Sequence, residues 1–363
     1  MSERTKPISV GVSGLGRSGW DIHCKAIRQM GGTFRVAAVF DPIEKRAEQA
    51  NAELSARTHD SFVSLINDKD IELVVVASPN KFHASQAAAA LTAGKHVLCE
   101  KPFGFTTADA DAMIRAAKDA GKVLQPFQQR RFEPDFRKVR EVIESGVLGT
   151  IHSVRICWHG FKRRWDWQTS RAMGGGTMNN NGPHLIDHAM ELFGDAEPAV
   201  WAEMKHLLCS GDGEDHLKIV LSAPNAPTID IELSDGIAFD QDRWHICGTS
   251  GGLRGSASGL SWKYVDWKSM EARPLNLAST PDRSYNSEKL AWRTDEWRPE
   301  TKADPGGGAA PAAAPVLELY GGLYKSIREG APQVITPESV RRRVAVMEKV
   351  RSFTGIPLAV VYE

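Results

Sequence analysis

The first 126 residues alternate short apolar runs with helical patterns, and this alternation constrains the fold more than any other feature. The runs ISVGVS, FRVAAVF, IELVVV and HVLC are almost continuously apolar, and each is followed by a segment with helical periodicity. Strands that are apolar on both faces have to be covered by helices on both sides, which is the arrangement of a parallel βαβ sheet. We therefore predict that residues 1–126 form an α/β Rossmann domain with a doubly wound parallel sheet.

The pattern changes in the remainder of the chain. From about residue 151 the strand-like runs follow one another, and IHSVRICWHG, HLKIVLSA and PTIDIELSD alternate apolar with polar residues. Such alternation indicates antiparallel strands with one face in solvent. One clear helix, over residues 183–193, interrupts them, and two helical patterns close the chain. We predict that residues 127–363 form an α+β domain around a large, open, mostly antiparallel sheet, in which the low-complexity segment 304–315 is a flexible loop.

The balance of charges limits the partners of the chain. Lys plus Arg and Asp plus Glu both number 45 in 363 residues, so no net charge attracts nucleic acid or an anionic membrane. The sequence shows neither a secretory signal nor an apolar run of about 18 residues, and we expect no membrane span. Five scattered cysteines without a CxxC pair indicate reduced thiols. We predict a cytoplasmic protein that binds a small molecule and needs no metal.

A GxGxxG motif, GLGRSG at residues 14–19, lies between the first strand and the first helix. In this position the motif predicts a dinucleotide-binding turn. Gly14 permits the tight turn, Gly16 lets the backbone approach a pyrophosphate, and Gly19 allows the helix to pack closely on the strand. The start of the helix then offers N–H groups and a partial positive charge to the phosphates.

Asp41 ends the second strand, 22 residues after Gly19. A carboxylate in this position hydrogen-bonds both hydroxyls of an adenosine ribose and repels a 2′-phosphate, which favours NAD over NADP. The Asp-Pro pair is also typical of a turn, and the two interpretations are compatible.

Two further motifs, ASPN at residues 77–80 and CEKP at residues 99–102, end strands of the same sheet. Ligands of such sheets bind beyond the carboxyl ends of the strands, so Lys101 falls where a nicotinamide is expected. A lysine that is partly removed from water has a lowered pKa and can hydrogen-bond a substrate hydroxyl. The residues that we expect to contact the cofactor are Gly14, Leu15, Gly16, Arg17, Ser18, Gly19, Asp41, Ser78, Pro79, Asn80, His83, Glu100 and Lys101.

The segment GGGTMNNNGPHLIDHAMELFG, residues 174–194, joins turn-forming residues to one amphipathic helix. Gly182 suits the cap and Pro183 the first helical position, so His184 falls in the first turn. The helix dipole disfavours the protonated imidazole there, and the neutral ring is the form that a general base requires.

The same helix carries a polar row opposite its apolar face, and its members are His184, Asp187, His188 and Glu191. The row leaves three interpretations open: a catalytic face, a metal site built from the first three residues, and a hydrogen-bonded polar face without chemistry. No pattern for a third ligand stands out, and dinucleotide chemistry needs no metal.

The segment CWHGFKRRWDWQ, residues 157–168, contains three tryptophans and three basic residues. Aromatic faces beside hydrogen-bonding groups suit a sugar ring, and a place in a core or an interface fits these tryptophans equally well.

The motifs GLGRSG, ASPNKFH, GKHVLCEKP, QQRRFEPDF, GGGTMNNNGPHLID and WHICGTSGGLRG occur in this order. In this combination the chain resembles, over nearly its whole length, the Gfo/Idh/MocA family, which includes glucose–fructose oxidoreductase and inositol dehydrogenase. The resemblance implies a Rossmann domain and a sheet domain that packs against a second subunit, giving a homodimer or homotetramer. It also implies that Lys101, next to a cis bond at Pro102, contacts nicotinamide ribose and substrate, and that His184 takes the proton from the hydroxyl being oxidised.

The chain departs from the family pattern at Asn180, because many of the family's dehydrogenases have an aspartate four residues before the histidine. An amide can position the lysine or the substrate, but it supplies no negative charge to an imidazolium or ammonium group. We therefore expect Asn180 to be a positioning residue and the substrate to differ from that of the inositol dehydrogenases. The residues that we expect to contact the substrate are Lys101, Arg131, Trp165, Trp167, Asn180 and His184.

These features together predict an NAD-dependent oxidoreductase that acts on a secondary hydroxyl of a sugar, polyol or glycoside. The resemblance also implies one alternative, a glycoside-cleaving enzyme that holds NAD tightly and regenerates it in each turnover. A second alternative is a non-catalytic regulator that senses a dinucleotide or a sugar. The presence of both Lys101 and His184 favours an enzyme, because a sensor needs neither residue.

Overall fold

The computed structural model describes residues 6–280, 282–299 and 313–361. Its first sheet has six parallel strands in the order β3-β2-β1-β4-β5-β6. These strands are β1 (Ile8–Ser13), β2 (Phe34–Phe40), β3 (Arg57–Thr58), β4 (Leu73–Val76), β5 (His96–Cys99) and β6 (Leu124–Pro126). Strands β1 and β4 are buried along their whole length. The predicted parallel sheet is confirmed, and its strand order reverses between β1 and β4, where such sheets bind ligands.

A helix follows each of the four apolar runs, as the alternating pattern predicted. The helices of this sheet are α1 (Lys25–Gln29), α2 (Glu44–Leu54), α3 (Phe62–Asn67), α4 (His83–Thr92) and α5 (Thr107–Ala120). Two features were not predicted: a π-helix over Ser18–Cys24 connects the glycine turn to α1, and α3 follows the short strand β3. Helix α3 has only six residues, which is too short to show an amphipathic period, and Ser61 caps it.

The second sheet has eight strands in the order β14-β13-β12-β11-β7-β10-β9-β8, and all neighbours are antiparallel except β7 and β10. They are β7 (Ile151–His159), β8 (Ala199–Lys205), β9 (His216–Ser222), β10 (Thr228–Ser234), β11 (Trp244–Gly248), β12 (Gly251–Ser256), β13 (Gly259–Val265) and β14 (Trp292–Trp297). Strands β13 and β14 were not predicted. Strand β14 is an almost fully exposed edge strand, so no apolar alternation reveals it.

Helices cover one face of the second sheet and leave the other open. The covering helices are α6 (Pro134–Glu144), α8 (Gly182–Phe193) and α10 (Pro337–Thr354), and α7 (Thr177–Asn180) precedes α8. Inward-facing side chains such as Ile231 and Trp244 share one core with these helices. The open face carries charged side chains, among them Lys218 between Asp230 and Glu232. The predicted mostly antiparallel sheet with one polar face is thus confirmed.

The end of the chain returns to the first sheet. Helix α9 (Ala314–Glu329) places Tyr320 in the core of that sheet, where its ring lies 5.3 Å from the ring of Phe34, centroid to centroid. The division of the chain at residue 126 stays a prediction, and the packing shows that residues far beyond it complete the first core.

Part of the predicted loop at residues 304–315 lies outside the described residues, namely 304–312. Ala314 and Pro315 do not belong to a loop but to the first turn of α9, where proline is favourable because its fixed φ suits a helix start. Within the described ranges, no helix is long and apolar enough to cross a membrane.

Candidate active site

The three glycines of GLGRSG are required for different reasons. Gly14 has a φ of +89°, and a Cβ there would lie 2.6 Å from the carbonyl oxygen of Ala77. A Cβ on Gly19 would overlap the carbonyl oxygen of Gly14. At Gly16, by contrast, no atom of the described residues lies within 4 Å of a Cβ position. The fold itself therefore leaves open space at Gly16, and this fits a dinucleotide whose pyrophosphate lies against the turn.

Asp41 is nearly buried beside this turn. Its Oδ2 accepts a hydrogen bond from the Leu15 N–H at 2.6 Å, and its Oδ1 accepts one from the Ile43 N–H at 2.9 Å. The half-exposed Arg46 lies beside it, with its Nη1 3.5 Å from Oδ2. The carboxylate suits an unphosphorylated ribose, whereas an arginine in this place suits a 2′-phosphate, so the two side chains act in opposite directions on cofactor choice.

Glu100 connects the glycine turn to Lys101. Its carboxylate accepts hydrogen bonds from the Ser18 hydroxyl and from the Lys101 N–H at 2.9 Å, and it lies 3.2 Å from His23 Nε2. Tyr320 of α9 holds the other ring nitrogen of His23 at 2.8 Å. Burial alone would raise the pKa of Glu100, but His23, Lys101 and Ser18 bring it down to about 2. Glu100 is therefore a buried anion that fixes the geometry around the expected cofactor.

Asn80 and His83 have buried side chains that join loops. Asn80 Nδ2 donates to the Gly174 carbonyl at 2.9 Å, and the His83 ring nitrogens lie 2.9 and 2.8 Å from the carbonyl oxygens of Pro102 and Ser78. The Ser78 hydroxyl is buried and has no hydrogen-bond partner in the part of the chain that the structure describes. Cofactor contacts by these residues stay predictions, and the free Ser78 hydroxyl fits a ligand at this strand end.

Lys101 follows β5, and its bond to Pro102 is cis, as the family resemblance implied. Its Nζ donates to the backbone carbonyl of Asn180 at 2.6 Å. Burial is the largest of the causes that lower the pKa of Lys101 to about 8; the charges of Arg17, Arg130 and Arg164 act in the same direction, and Glu100 opposes them. The amine therefore changes its charge close to neutral pH.

Asn180 contacts the lysine with its backbone and not with its side chain. The side-chain Nδ2 donates to the Gln168 carbonyl at 2.8 Å, and Oδ1 lies 3.4 Å from Asn80 Nδ2. Asn180 therefore positions the lysine through its carbonyl, and a contact of its amide with substrate stays a prediction. The amide is suited to its place because the Gln168 carbonyl needs a donor, which a carboxylate cannot supply.

His184 lies in the first turn of α8 and is almost fully buried. The residue that precedes the helix is Asn181, so the cap predicted at Gly182 is wrong by one position. Burial holds the pKa of His184 well below its usual value, and the charges of Arg130, Lys101, His188 and Arg343 add to this effect. The ring is neutral as expected, but burial, more than the helix dipole, is the cause.

In the rest of the polar row on α8, Asp187 and His188 are buried and Glu191 is partly exposed. Asp187 forms a two-pronged ion pair with Arg131 at 2.7 and 2.8 Å, and Glu191 lies 3.1 Å from the same guanidinium. His188 stacks on Phe136 and bonds to the Arg130 carbonyl at 3.0 Å. Because Asp187 and the half-buried Glu191 hold its guanidinium, the structure gives the substrate contact of Arg131 no support, and that contact stays a prediction. Asp187 and His188 also have these protein partners, so nothing in the arrangement of the two residues favours the metal interpretation.

The two tryptophans predicted to contact a sugar lie on the segment after β7. Trp165 is 79% exposed and Trp167 is 39% exposed. The backbone carbonyl of Gln168, which follows Trp167, accepts a hydrogen bond from the Asn180 side chain, so this segment lies beside the site. The contacts of both tryptophans with substrate stay predictions.

Two residues near His184 were missed. Gln128 Nε2 lies 3.4 Å from His184 Nδ1, and Arg343 of α10 donates to Gln128 Oε1 at 2.6 Å. No signal in the sequence distinguishes Arg343 from its neighbours in the run VRRRV, because only the tertiary fold brings it to the site.

A Rossmann domain with an open glycine turn, and with a lysine and a histidine brought together beyond its strands, defines the class of NAD-binding oxidoreductases. Residues 8–128 match the model of an oxidoreductase family with an NAD-binding Rossmann fold, and residues 136–254 match a GFO/IDH/MocA C-terminal domain. The chain belongs to the Gfo/Idh/MocA oxidoreductase family.

Individual relatives agree with this assignment. Inositol 2-dehydrogenase 2 of Saccharopolyspora erythraea is 30% identical over 337 residues, which is 90% of this chain and 97% of that protein. The chain spans about half the length of other relatives, among them an uncharacterized oxidoreductase of Schizosaccharomyces pombe, 34% identical over 195 residues, or 52% of each protein. A structure of levoglucosan dehydrogenase with NADH and levoglucosan has a TM-score of 0.76 over 96% of this chain and 98% of that one. At 20% identity this similarity shows the fold alone.

Proposed function

We propose that the protein is an NAD-dependent dehydrogenase that oxidises a secondary hydroxyl of a sugar, polyol or glycoside, or reduces the corresponding ketone. The observation that carries this proposal is the position of Lys101, which follows β5 and whose Nζ donates to the Asn180 carbonyl at 2.6 Å. Its pKa of about 8 allows the amine to accept a hydroxyl proton near neutral pH. The bound nicotinamide would accept the hydride from the same carbon.

The substrate class rests on two uncharged groups and one aromatic group at or beside the site, whose lysine also has three arginines near it. His184 is uncharged, Asn180 takes the place of an acid, and Trp165 exposes its ring on the neighbouring segment. Such groups suit a substrate with hydroxyls and apolar ring faces. The similarity to inositol 2-dehydrogenase 2 supports the same class.

NAD is proposed as the cofactor because Asp41 faces the glycine turn with a carboxylate fixed by the Leu15 N–H. A fixed negative charge repels a 2′-phosphate. Arg46 weakens this preference without removing it, because its side chain is half exposed and more easily displaced.

The test is to incubate the purified protein with NAD, and separately with NADP, and a panel of sugars, polyols and glycosides, while the absorbance of reduced nicotinamide is followed. A rising signal with one substrate class and NAD supports the proposal. A reduced cofactor that purifies with the protein and shows no net turnover favours the glycoside-cleaving alternative. A protein that binds NADH without any reaction across the panel favours the sensor.

We also propose that the chain assembles as a homodimer or homotetramer through the open face of the second sheet, in the cytoplasm. A groove of 1130 Å³ on this sheet includes Trp262, Trp267 and Trp292 in its lining, and an aromatic surface of this kind is typical of an interface. All five cysteines are unpaired, which supports a reducing compartment. Light scattering after size exclusion measures the mass, and a value of one 39.8 kDa chain would contradict the assembly.

A further inference from the structure

Arg343 is an unusual residue to find in the interior of this protein. It lies on α10 with 1% of its surface exposed, and its Nη1 donates to Gln128 Oε1 at 2.6 Å. Its Nε and Nη2 have no hydrogen-bond partner among the residues described. Burial lowers its pKa to about 10, and no described carboxylate forms an ion pair with it. A buried guanidinium with unsatisfied N–H groups is unfavourable for folding, so a role in the site is the simplest reason for its presence.

The contact with Arg343 determines how the Gln128 amide is turned. A guanidinium only donates hydrogen bonds, so the atom 2.6 Å from Nη1 has to be the amide oxygen. The amide nitrogen then faces the Pro183 carbonyl and His184 Nδ1, each at 3.4 Å. Gln128 is itself buried, which leaves little freedom for another orientation.

This orientation selects one tautomer of His184. An amide nitrogen only donates, so Nδ1 of His184 has to accept and cannot carry a proton. A neutral imidazole has a single N–H, which therefore lies on Nε2. Nε2 forms no hydrogen bond with any residue in the described ranges, so this N–H is available to a ligand. Burial keeps the ring neutral, and the positive charges of Arg130, Lys101 and Arg343 add to this effect.

We propose that Arg343 and Gln128 are positioning residues that hold His184 as the neutral Nε2–H tautomer, so that His184 donates a hydrogen bond to the substrate oxygen. This inference rests on the proposed dehydrogenase function and revises the expectation that His184 takes the proton. During oxidation the hydroxyl proton passes to the neutral amine of Lys101, the hydride passes with its electron pair to the nicotinamide, and His184 keeps its proton while it binds the forming carbonyl oxygen.

The tautomer is measured without any substrate. Protein labelled with ¹⁵N-histidine gives long-range proton–nitrogen spectra in which protonated and unprotonated ring nitrogens differ strongly, and the His184→Gln variant assigns the His184 signals. The expected result is a protonated Nε2 and an unprotonated Nδ1 at pH 7. An Nδ1–H tautomer or an imidazolium at pH 7 would overturn the proposal.

The Gln128→Glu variant provides a sharper test. Its carboxylate still pairs with Arg343 but accepts from His184 Nδ1, so the proton is expected to move to Nδ1. Arg343→Met frees the amide and is expected to give a mixture of tautomers, whereas Arg343→Lys keeps a donor to Gln128 and the original tautomer. His83, which contacts Ser78 and Pro102 and not Gln128, serves as the internal control. An unchanged His184 tautomer in Gln128→Glu would also overturn the proposal.

Kinetics then separate this inference from the proposed function. On a substrate found with the panel, Gln128→Glu is expected to lower kcat roughly 100-fold with a smaller change in KM, because it removes a donor to the developing oxygen charge. Arg343→Lys is expected to restore most of the rate relative to Arg343→Met. If the tautomer is as proposed and no substrate reacts, the proposed function fails and the assignment of the tautomer stands. If a substrate reacts equally well in Gln128→Glu, only the role of the tautomer fails.

Discussion

The Lys101 ammonium donates a hydrogen bond to the backbone carbonyl of Asn180 at 2.6 Å, and this bond joins the parts of the site that the first and the second sheet carry. Lys101 follows a strand of the first sheet, whereas Asn180 ends the short helix α7 that leads into the helix of His184. A movement between the two sheets would therefore separate the lysine from the histidine. The Asn80 side chain strengthens the same junction, because it bonds to the Gly174 carbonyl at 2.9 Å.

The first prediction concerns Lys101 itself. Lys101→Ala is expected to lower kcat by roughly 10²–10⁴-fold on a confirmed substrate, since the amine that accepts the proton is lost. Lys101→Arg is the matched control, because arginine keeps the positive charge but does not release its proton, and it is expected to be equally inactive. Circular dichroism checks that both variants fold. Full activity in either variant would show that Lys101 is not the proton acceptor.

The second prediction is a pH dependence. The pKa of Lys101 is lowered to about 8, and only the neutral amine accepts a proton. Oxidation is therefore expected to rise with pH through an inflection near pH 8 and to level off above it, whereas reduction of the ketone is expected to fall over the same range. Because the positive charge of Arg164 helps to lower this pKa, the Arg164→Gln variant is expected to move the inflection to higher pH. A profile of kcat/KM that is flat from pH 6 to 9 would contradict the assignment.

The sequence predicted those features that depend on local backbone requirements. Gly14 and Gly19 are recognisable because the turn itself excludes a side chain, and Lys101 because it directly follows a buried strand. The polar row on α8 was also predicted, but the ion pair of its Asp187 with Arg131 was not. Arg131 lies 56 residues before Asp187, and nothing in either segment shows that they meet in a buried ion pair.

The contacts that orient His184 could not be predicted either, because they also join residues that are far apart in the sequence. Gln128 and Arg343 are 215 residues apart, and they meet because α10 packs against the second sheet and α8. The role of Asn180 was predicted from its side chain, whereas the lysine contacts its carbonyl, which every residue type possesses. A backbone contact of this kind cannot be inferred from the residue type.

The third prediction separates two glycines of the same motif. Gly19→Ala is expected to destabilise the protein by several kcal/mol, on the order of the largest single-substitution effects, because its Cβ overlaps the Gly14 carbonyl. Gly16→Ala is expected to leave the melting temperature nearly unchanged, since its Cβ meets no described atom within 4 Å. The same Gly16→Ala variant is expected to weaken NADH binding at least tenfold in a fluorescence titration. Unchanged NADH affinity would mean that the cofactor does not approach Gly16.

The fourth prediction concerns the choice of cofactor. Asp41→Asn keeps the shape of the side chain and removes the charge that repels a 2′-phosphate, so the ratio of the NADH and NADPH dissociation constants is expected to shift toward NADPH by about tenfold. Arg46→Ala is the matched variant at the same edge, and it is expected to shift the ratio toward NADH. Both ratios are measured by titration of reduced-cofactor fluorescence. A wild-type protein that prefers NADPH would show that Arg46 dominates over Asp41.

The last prediction tests why an asparagine stands at position 180. In wild-type protein the Asn180 Nδ2 donates to the Gln168 carbonyl at 2.8 Å. In the Asn180→Asp variant a carboxylate oxygen would take the place of this donor. Two acceptors then face each other in a buried place, and the free energy of unfolding is expected to fall by about 1–3 kcal/mol. Activity is expected to fall as well, because the strain reaches the carbonyl that holds Lys101. Asn179→Asp is the neighbouring control, because it also removes a donor, in this case to the Gly175 carbonyl. Asn179 Oδ1, however, accepts from Arg351 at 2.8 Å, and a carboxylate there forms a charged pair. The loss of unfolding free energy is therefore expected to be smaller than in Asn180→Asp. Urea denaturation of the two variants measures the difference. A stable and more active Asn180→Asp would mean that the side chain can turn toward the lysine and that the amide is not required by the fold.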